Sequence, residues 1–155
     1  MTVEHDTVRE DREYPHPPHR VYAAWADPQL KRRWFDLTND RDGDWHSELR
    51  VDGTEHFFTA PGSTPELRYT AQFRDVVEDE RIVATAEVMV GGRCATVSVT
   101  TVEFEPTPAG CRLRVVEQTA YLDQLDTPGV RRTGIAAQLR NLAQQLELEQ
   151  DRSGP

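Results

Sequence analysis

A chain of 155 residues suits one domain, large enough to bury a core without disulfide or metal staples. Its 27 Asp and Glu against 18 Lys and Arg give a formal net charge of −9, which opposes phosphate backbones and anionic bilayers and disfavours nucleic-acid and membrane partners. The N-terminal residues alternate charges without the apolar stretch of a secretion signal, and no apolar run is long enough to span a bilayer, so the expected location is cytoplasmic with no membrane insertion.

In chain order, residues 1 to 7 read as frayed and Arg9 to Tyr14 as a short first strand with mostly charged neighbours. One domain is expected over 1 to 155, with an ordered core at about 9 to 149. Pro17-Pro18 stops the strand and opens a short helix in which Val21, Ala24 and Trp25 share one face. Asp27-Pro28 supplies the cap and first position of a second helix, with Leu30 and Trp34 one turn apart and an end at Trp34-Phe35. Thr38 to Asp44 is a polar loop. Strands follow at about 48 to 51, 54 to 60, 66 to 77 and 81 to 90, separated by Asp52-Gly53, a Pro-Gly-Ser-Thr-Pro loop at 61 to 65, Glu78-Asp79-Glu80 and Gly91-Gly92.

Val97 to Phe104, rich in Val and Thr, is broken by the run from Glu105 to Gly110, and Cys111 to Tyr121 resumes with strict alternation. In such a hairpin Cys94 and Cys111 lie roughly 33 Å apart at strand rise, too far for a disulfide. Both thiols suit a reducing compartment. A helix from about Pro128 to Glu149, capped by Asp126 or Thr127, carries Ile135, Leu139, Leu142 and Leu146 in one stripe. Gly134 interrupts it, and a close approach of the helix to sheet or ligand would account for a glycine there. A helix arriving after a complete antiparallel meander must bury its stripe against that sheet. The expected fold is therefore α+β, a curved antiparallel sheet around the final helix, closed at one end by the two short helices.

Five segments carry a resemblance: PPHRVYAAWADPQLKRRWF at 17–35, SELRVDGT at 47–54, YTAQFRDVVEDERIV at 69–83, SVTTVEFEP at 98–106 and VEQTAYLD at 116–123. Together with the order of elements they resemble the START-like helix-grip superfamily, also called SRPBCC and including the Bet v 1-like folds. Within it the similarity, over residues 10 to 148, is to the group named after the activator of the ninety-kilodalton heat-shock chaperone ATPase. The resemblance implies a helix-grip fold, and relatives include lipid carriers, hormone receptors, polyketide aromatases and cyclases, and co-chaperone domains. This chain has Asp52-Gly53 where the family often has Gly-Gly, and Gly134-Ile135 where it often has Gly-Trp, which removes an aromatic between helix and sheet.

Alternation puts Cys111, Leu113, Val115, Glu117, Thr119 and Tyr121 on the face toward the helix. Glu117 is then a carboxylate on an otherwise apolar face. Burial would raise its pKa and make it a candidate general acid or base, or a ligand anchor; it equally suits a structural carboxylate satisfied by Arg, Tyr or backbone N–H. Leu67, Tyr69, Ala71 and Phe73 form a second inward stripe, and Ile82, Ala84, Ala86 and Val88 a third, large and small residues alternating as a cavity wall or a packed core requires. Tyr69 and Tyr121 would offer hydroxyls. Phe57, Ile135 and Leu139 join the candidate ligand-binding set; Trp34, Phe35 and Trp45 are candidates for its rim, and Trp25 for packing. Arg32-Arg33 would meet a ligand carboxylate or form a solvated face.

The five histidines form no metal set, and no phosphate loop or nucleophile elbow is present, so no metal or cofactor is expected. The leading expectation is binding of a small apolar or aromatic molecule between helix and sheet. Its rivals are an enzyme, cyclase-like or other, using Glu117, and a co-chaperone-like interaction module acting through the outer sheet face on a chaperone partner. A homodimer stays open as an alternative.

Overall fold

Runs alternating at period two become strands in the computed structural model, which describes residues 2–152. The strands are β1 (Val3–Tyr14), β2 (Asp44–Ser47), β3 (Thr54–Phe58), β4 (Leu67–Val77), β5 (Arg81–Val90), β6 (Arg93–Thr107) and β7 (Gly110–Leu122). They form one antiparallel sheet in the order β1-β7-β6-β5-β4-β3-β2. Helices α1 (Pro18–Ala26) and α2 (Pro28–Phe35) follow β1, and α3 (Pro128–Arg152) follows β7. The result is the α+β helix-grip arrangement expected from the order of elements. Irregular pairing between Phe73 and Asp75 and between Val88 and Met89 disturbs the β4–β5–β6 ladders, the kind of feature that bends a sheet.

Among the element bounds that differ from the sequence reading, three bear on the fold. The first strand begins at Val3, not Arg9, and pairs with β7 from Val3↔Leu122 to Tyr14↔Cys111. Its charges mark a solvated face of an edge strand, while Val8 and Tyr14 turn inward and the Tyr14 hydroxyl donates to the Leu139 carbonyl at 3.0 Å. The second strand is Asp44–Ser47, and the residues expected to be strand at 48 to 51 form a turn instead. Asp52 sits there at φ 65°, a left-handed conformation Asp tolerates, and a Cβ on Gly53 would meet the Glu48 carbonyl at 2.2 Å. The break expected at 105 to 110 narrows to Pro108-Ala109: β6 continues through Pro106, beyond the last β5 partner at Arg81↔Glu103, where a missing N–H costs no ladder bond on that side.

The core lies between the concave sheet and α3. Ile135, Leu139, Leu142 and Leu146 are all buried, as are Val21, Ala24 and Trp25 of α1. Asp27 caps α2 by accepting from the Gln29 and Leu30 N–H groups. This phase buries Trp34, as expected, but with Lys31 beside it on the inward face, while Leu30 is half-buried.

Candidate functional site

A cavity of about 250 Å³ remains between sheet and helix, with α2 along one side. Most of the candidate residues line it: Trp34 and Phe35 from α2, Trp45 from β2 and Phe57 from β3. Tyr69 and Phe73 contribute from β4, Ala84 and Ala86 from β5, Val115 and Glu117 from β7, and Ile135 and Leu139 from α3. Two do not. Ala71 is buried, but its register partner Glu55 is the longer side chain that reaches the cavity; Tyr121 is buried on the inward face of β7 outside the lining. Trp34 is wall, not rim, with its Nε1 donating to the Ala24 carbonyl at 3.0 Å, and Trp25 lines the cavity beside it.

Glu117 is buried and inward, as parity required, and it is fully engaged. Arg131, on the first turns of α3, grips it with Nε at 2.7 Å from Oε1 and Nη2 at 2.8 Å from Oε2; the Thr100 and Thr119 hydroxyls donate at 3.3 and 3.4 Å. Burial alone would raise the Glu117 pKa, but the bonds and charge of Arg131, helped by the two threonines, bring it below the usual carboxylate range. The expected upward shift is therefore reversed. A carboxylate so held does not release or take a proton near neutral pH.

A second buried ion pair was not anticipated. Lys31 Nζ donates to Glu55 Oε1 at 2.7 Å, Ser47 adds a bond to the same oxygen at 2.8 Å, and the Tyr69 hydroxyl donates to Oε2 at 2.6 Å. The side chains of Lys31 and Glu55 are only 4% and 1% exposed. The rings of Phe35, Trp25 and Phe73 stand 4.7, 5.1 and 5.6 Å from the ammonium. Burial, then the charge and hydrogen bond of Glu55, push the Tyr69 phenol well above its ordinary range, which keeps it a neutral donor. Lys31 is the only lysine of the chain and Glu55 shares the inward parity of Phe57, so both carried a signal. The neighbouring Arg32 instead donates to the carbonyls of Gly43 and Asp40, and Arg33 is exposed; neither lines the cavity.

The family described as "Activator of Hsp90 ATPase homolog 1-like protein" matches residues 15–147. The chain belongs to this family. A solved structure from Rhizobium leguminosarum is 33% identical, covers 94% of this chain and 97% of its own, and has a TM-score of 0.88. One from Rhizobium loti is 36% identical, with coverages of 94% and 99% and a TM-score of 0.85. A Staphylococcus aureus protein at 17% identity matches with a TM-score of 0.77 over 96% and 98% of the two chains, a likeness of fold alone. No curated protein matches the chain. Membership places the domain among helix-grip proteins of the ligand-binding or co-chaperone-like kind.

Two further features shape the cavity. Ile135, at the position where the resemblance implies a Trp, lines it. The preceding Gly134 has no tight neighbour, since a Cβ there would meet Arg131 and Leu37 at 3.7 Å, so the close approach expected of it is not found. In β6 the pattern is inverted: Val97 and Val99 are 49% and 39% exposed, while Thr96, Ser98 and Thr100 line the cavity. Asp36, Leu37, Thr38 and Asp126 line its more exposed end. On the opposite sheet face His46 and His56 are register partners, and each faces a carboxylate, Glu48 and Asp44; among the described residues no group of three metal-binding side chains assembles. No helix among the described residues is long and apolar enough to cross a membrane.

Proposed function

We propose that the protein binds a small apolar or aromatic compound non-covalently in the cavity between α3 and the sheet. The inverted strand β6 carries this reading. A strand serving only a packed core would bury Val97 and Val99 and expose Thr96, Ser98 and Thr100; the reverse arrangement supplies hydroxyls to an internal space. The enzyme reading draws less support because all of Glu117's bonds are committed to Arg131 and two threonines. An interaction module on the outer face is likewise less favoured, since Val97 and Val99 are flanked in register by Glu87 and Gln118, which interrupt an apolar patch. A cytoplasmic location is part of the proposal, supported by the free thiols of Cys94 and Cys111.

Native mass spectrometry of freshly purified protein tests for a retained small molecule, and titration with an apolar fluorescent probe tests the site. Binding is expected in the micromolar range and is lost in Ala86→Trp, which fills the cavity from β5. Unchanged probe affinity in a folded Ala86→Trp protein would place binding elsewhere.

A further inference from the structure

We propose that the ligand is a neutral aromatic compound bearing a carbonyl-type acceptor, and that this acceptor is held by the ammonium of Lys31. The inference rests on the cavity being the binding site and adds the chemical class of what enters it. An ammonium has three N–H donors. Lys31 makes one hydrogen bond, to Glu55, and otherwise faces the rings of Phe35, Trp25 and Phe73, so two N–H bonds lack an acceptor among the described residues. At 4% exposure bulk water does not serve them. A ligand oxygen would complete this shell, and a flat arene fits the aromatic surround of the charge.

The acidic groups argue in the same direction. Glu117 already accepts from both arms of Arg131 and from Thr100 and Thr119, and Glu55 from Lys31, Ser47 and Tyr69, so a ligand donor finds Glu117 fully occupied and one lone pair of Glu55 open. The Thr96 and Ser98 hydroxyls accept as readily as they donate and do not discriminate. Each internal cation is neutralised by one carboxylate, and Asp36 and Asp126 add negative charge at the exposed end, so a ligand carboxylate would bring an unbalanced charge into the cavity. Arg131 also keeps Nη1 unbonded, but its side chain is 27% exposed and solvent reaches it. The uncharged Trp25 Nε1 is also buried without a partner and lines the cavity, so Lys31 is the buried charged donor in deficit.

Three probes of similar shape decide the matter: ethylnaphthalene, acetylnaphthalene and naphthoate, each competing with a bound fluorescent apolar dye. The ketone is expected to bind about tenfold or more tighter than the hydrocarbon, and naphthoate more weakly than the ketone. In Lys31→Met with Glu55→Gln, which removes both charges together, the ratio of ketone to hydrocarbon affinity closes to about twofold or less, whatever the hydrocarbon's own affinity becomes. The carbonyl infrared band of bound acetylnaphthalene needs no variant and should lie below its position in an alkane solvent. Equal affinity of ketone and hydrocarbon, tightest binding by naphthoate, a gap that survives in the folded double variant, or an unshifted carbonyl band would each overturn the inference while leaving the cavity as the site. Failure of the dye and all three probes to bind the wild-type protein would instead overturn the cavity reading, and the inference with it.

Discussion

Arg131→Met tests whether Glu117 is an obligate half of a pair. The substitution keeps much of the aliphatic volume and strands a carboxylate whose side chain is 7% exposed. Removing one partner of a buried pair costs about 3–5 kcal/mol; with Arg131 itself 27% exposed, water can enter as the guanidinium leaves, and about 2–3 kcal/mol is the better expectation. For a domain of this size that lowers Tm by roughly 4–12 °C.

The pH dependence gives the test its sign. In the wild-type protein the folded pKa of Glu117 lies below its ordinary value of 4.5, so the pair's stabilisation is complete above that value and is lost as pH falls through the folded pKa. Without Arg131, only the Thr100 and Thr119 hydroxyls oppose burial, and the folded pKa rises. The variant's burial penalty is then full above the raised pKa and fades below 4.5, and the deficit against wild type closes once pH has also fallen through the lower wild-type folded pKa. Thermal unfolding followed by circular dichroism at neutral and at acid pH should show the deficit of Arg131→Met shrinking toward low pH. A deficit under about 0.5 kcal/mol, or one independent of pH, would refute the reasoning.

Gly134→Ala should stabilise the protein by up to about 1 kcal/mol, read from the urea midpoint at unchanged slope, because the helix gains and the new Cβ meets only ordinary contacts at 3.7 Å. Lys31→Met alone should cost about 2–4 kcal/mol by orphaning Glu55, and adding Glu55→Gln should recover most of it; an additive double variant would show that the two side chains are not coupled.

Parity carried most of what was legible. Inward alternation of β7 fixed the direction of Glu117 correctly, because a period of two leaves no third orientation, and the four-residue spacing of Ile135 and Leu139 did the same for α3. What parity does not contain is the partner. Arg131 meets Glu117 only because the chain turns back between β7 and α3, and that geometry decides whether the carboxylate pKa rises or falls. Sequence alone shortens edge strand β1, because solvated charges resemble a frayed end while its neighbour β7, far along the chain, is out of view. Lys31 is hidden from sequence for a comparable reason: a cation next to Arg32-Arg33 looks like a solvated face while its partner Glu55, on a different element, is out of view.

The two internal pairs line the same cavity, and this bears on why they are there. The Tyr69 hydroxyl donates to Glu55, while Arg131 and Glu117 are both close enough to act on its ionisation with opposite sign. Apolar residues of similar volume commonly match or exceed the stability of a buried ion pair, so stability alone is a poor reason for keeping two of them around one cavity. A collapsed apolar interior would also leave no room for a ligand. Charged groups held by fixed hydrogen bonds resist such collapse, since closing the space would strip them of the partners that make burial tolerable. On the proposed binding role, the polar frame of Lys31, Glu55, Tyr69, Glu117 and Arg131 would keep the cavity open and its donors aimed in advance of a ligand, which would reduce the ordering cost of binding.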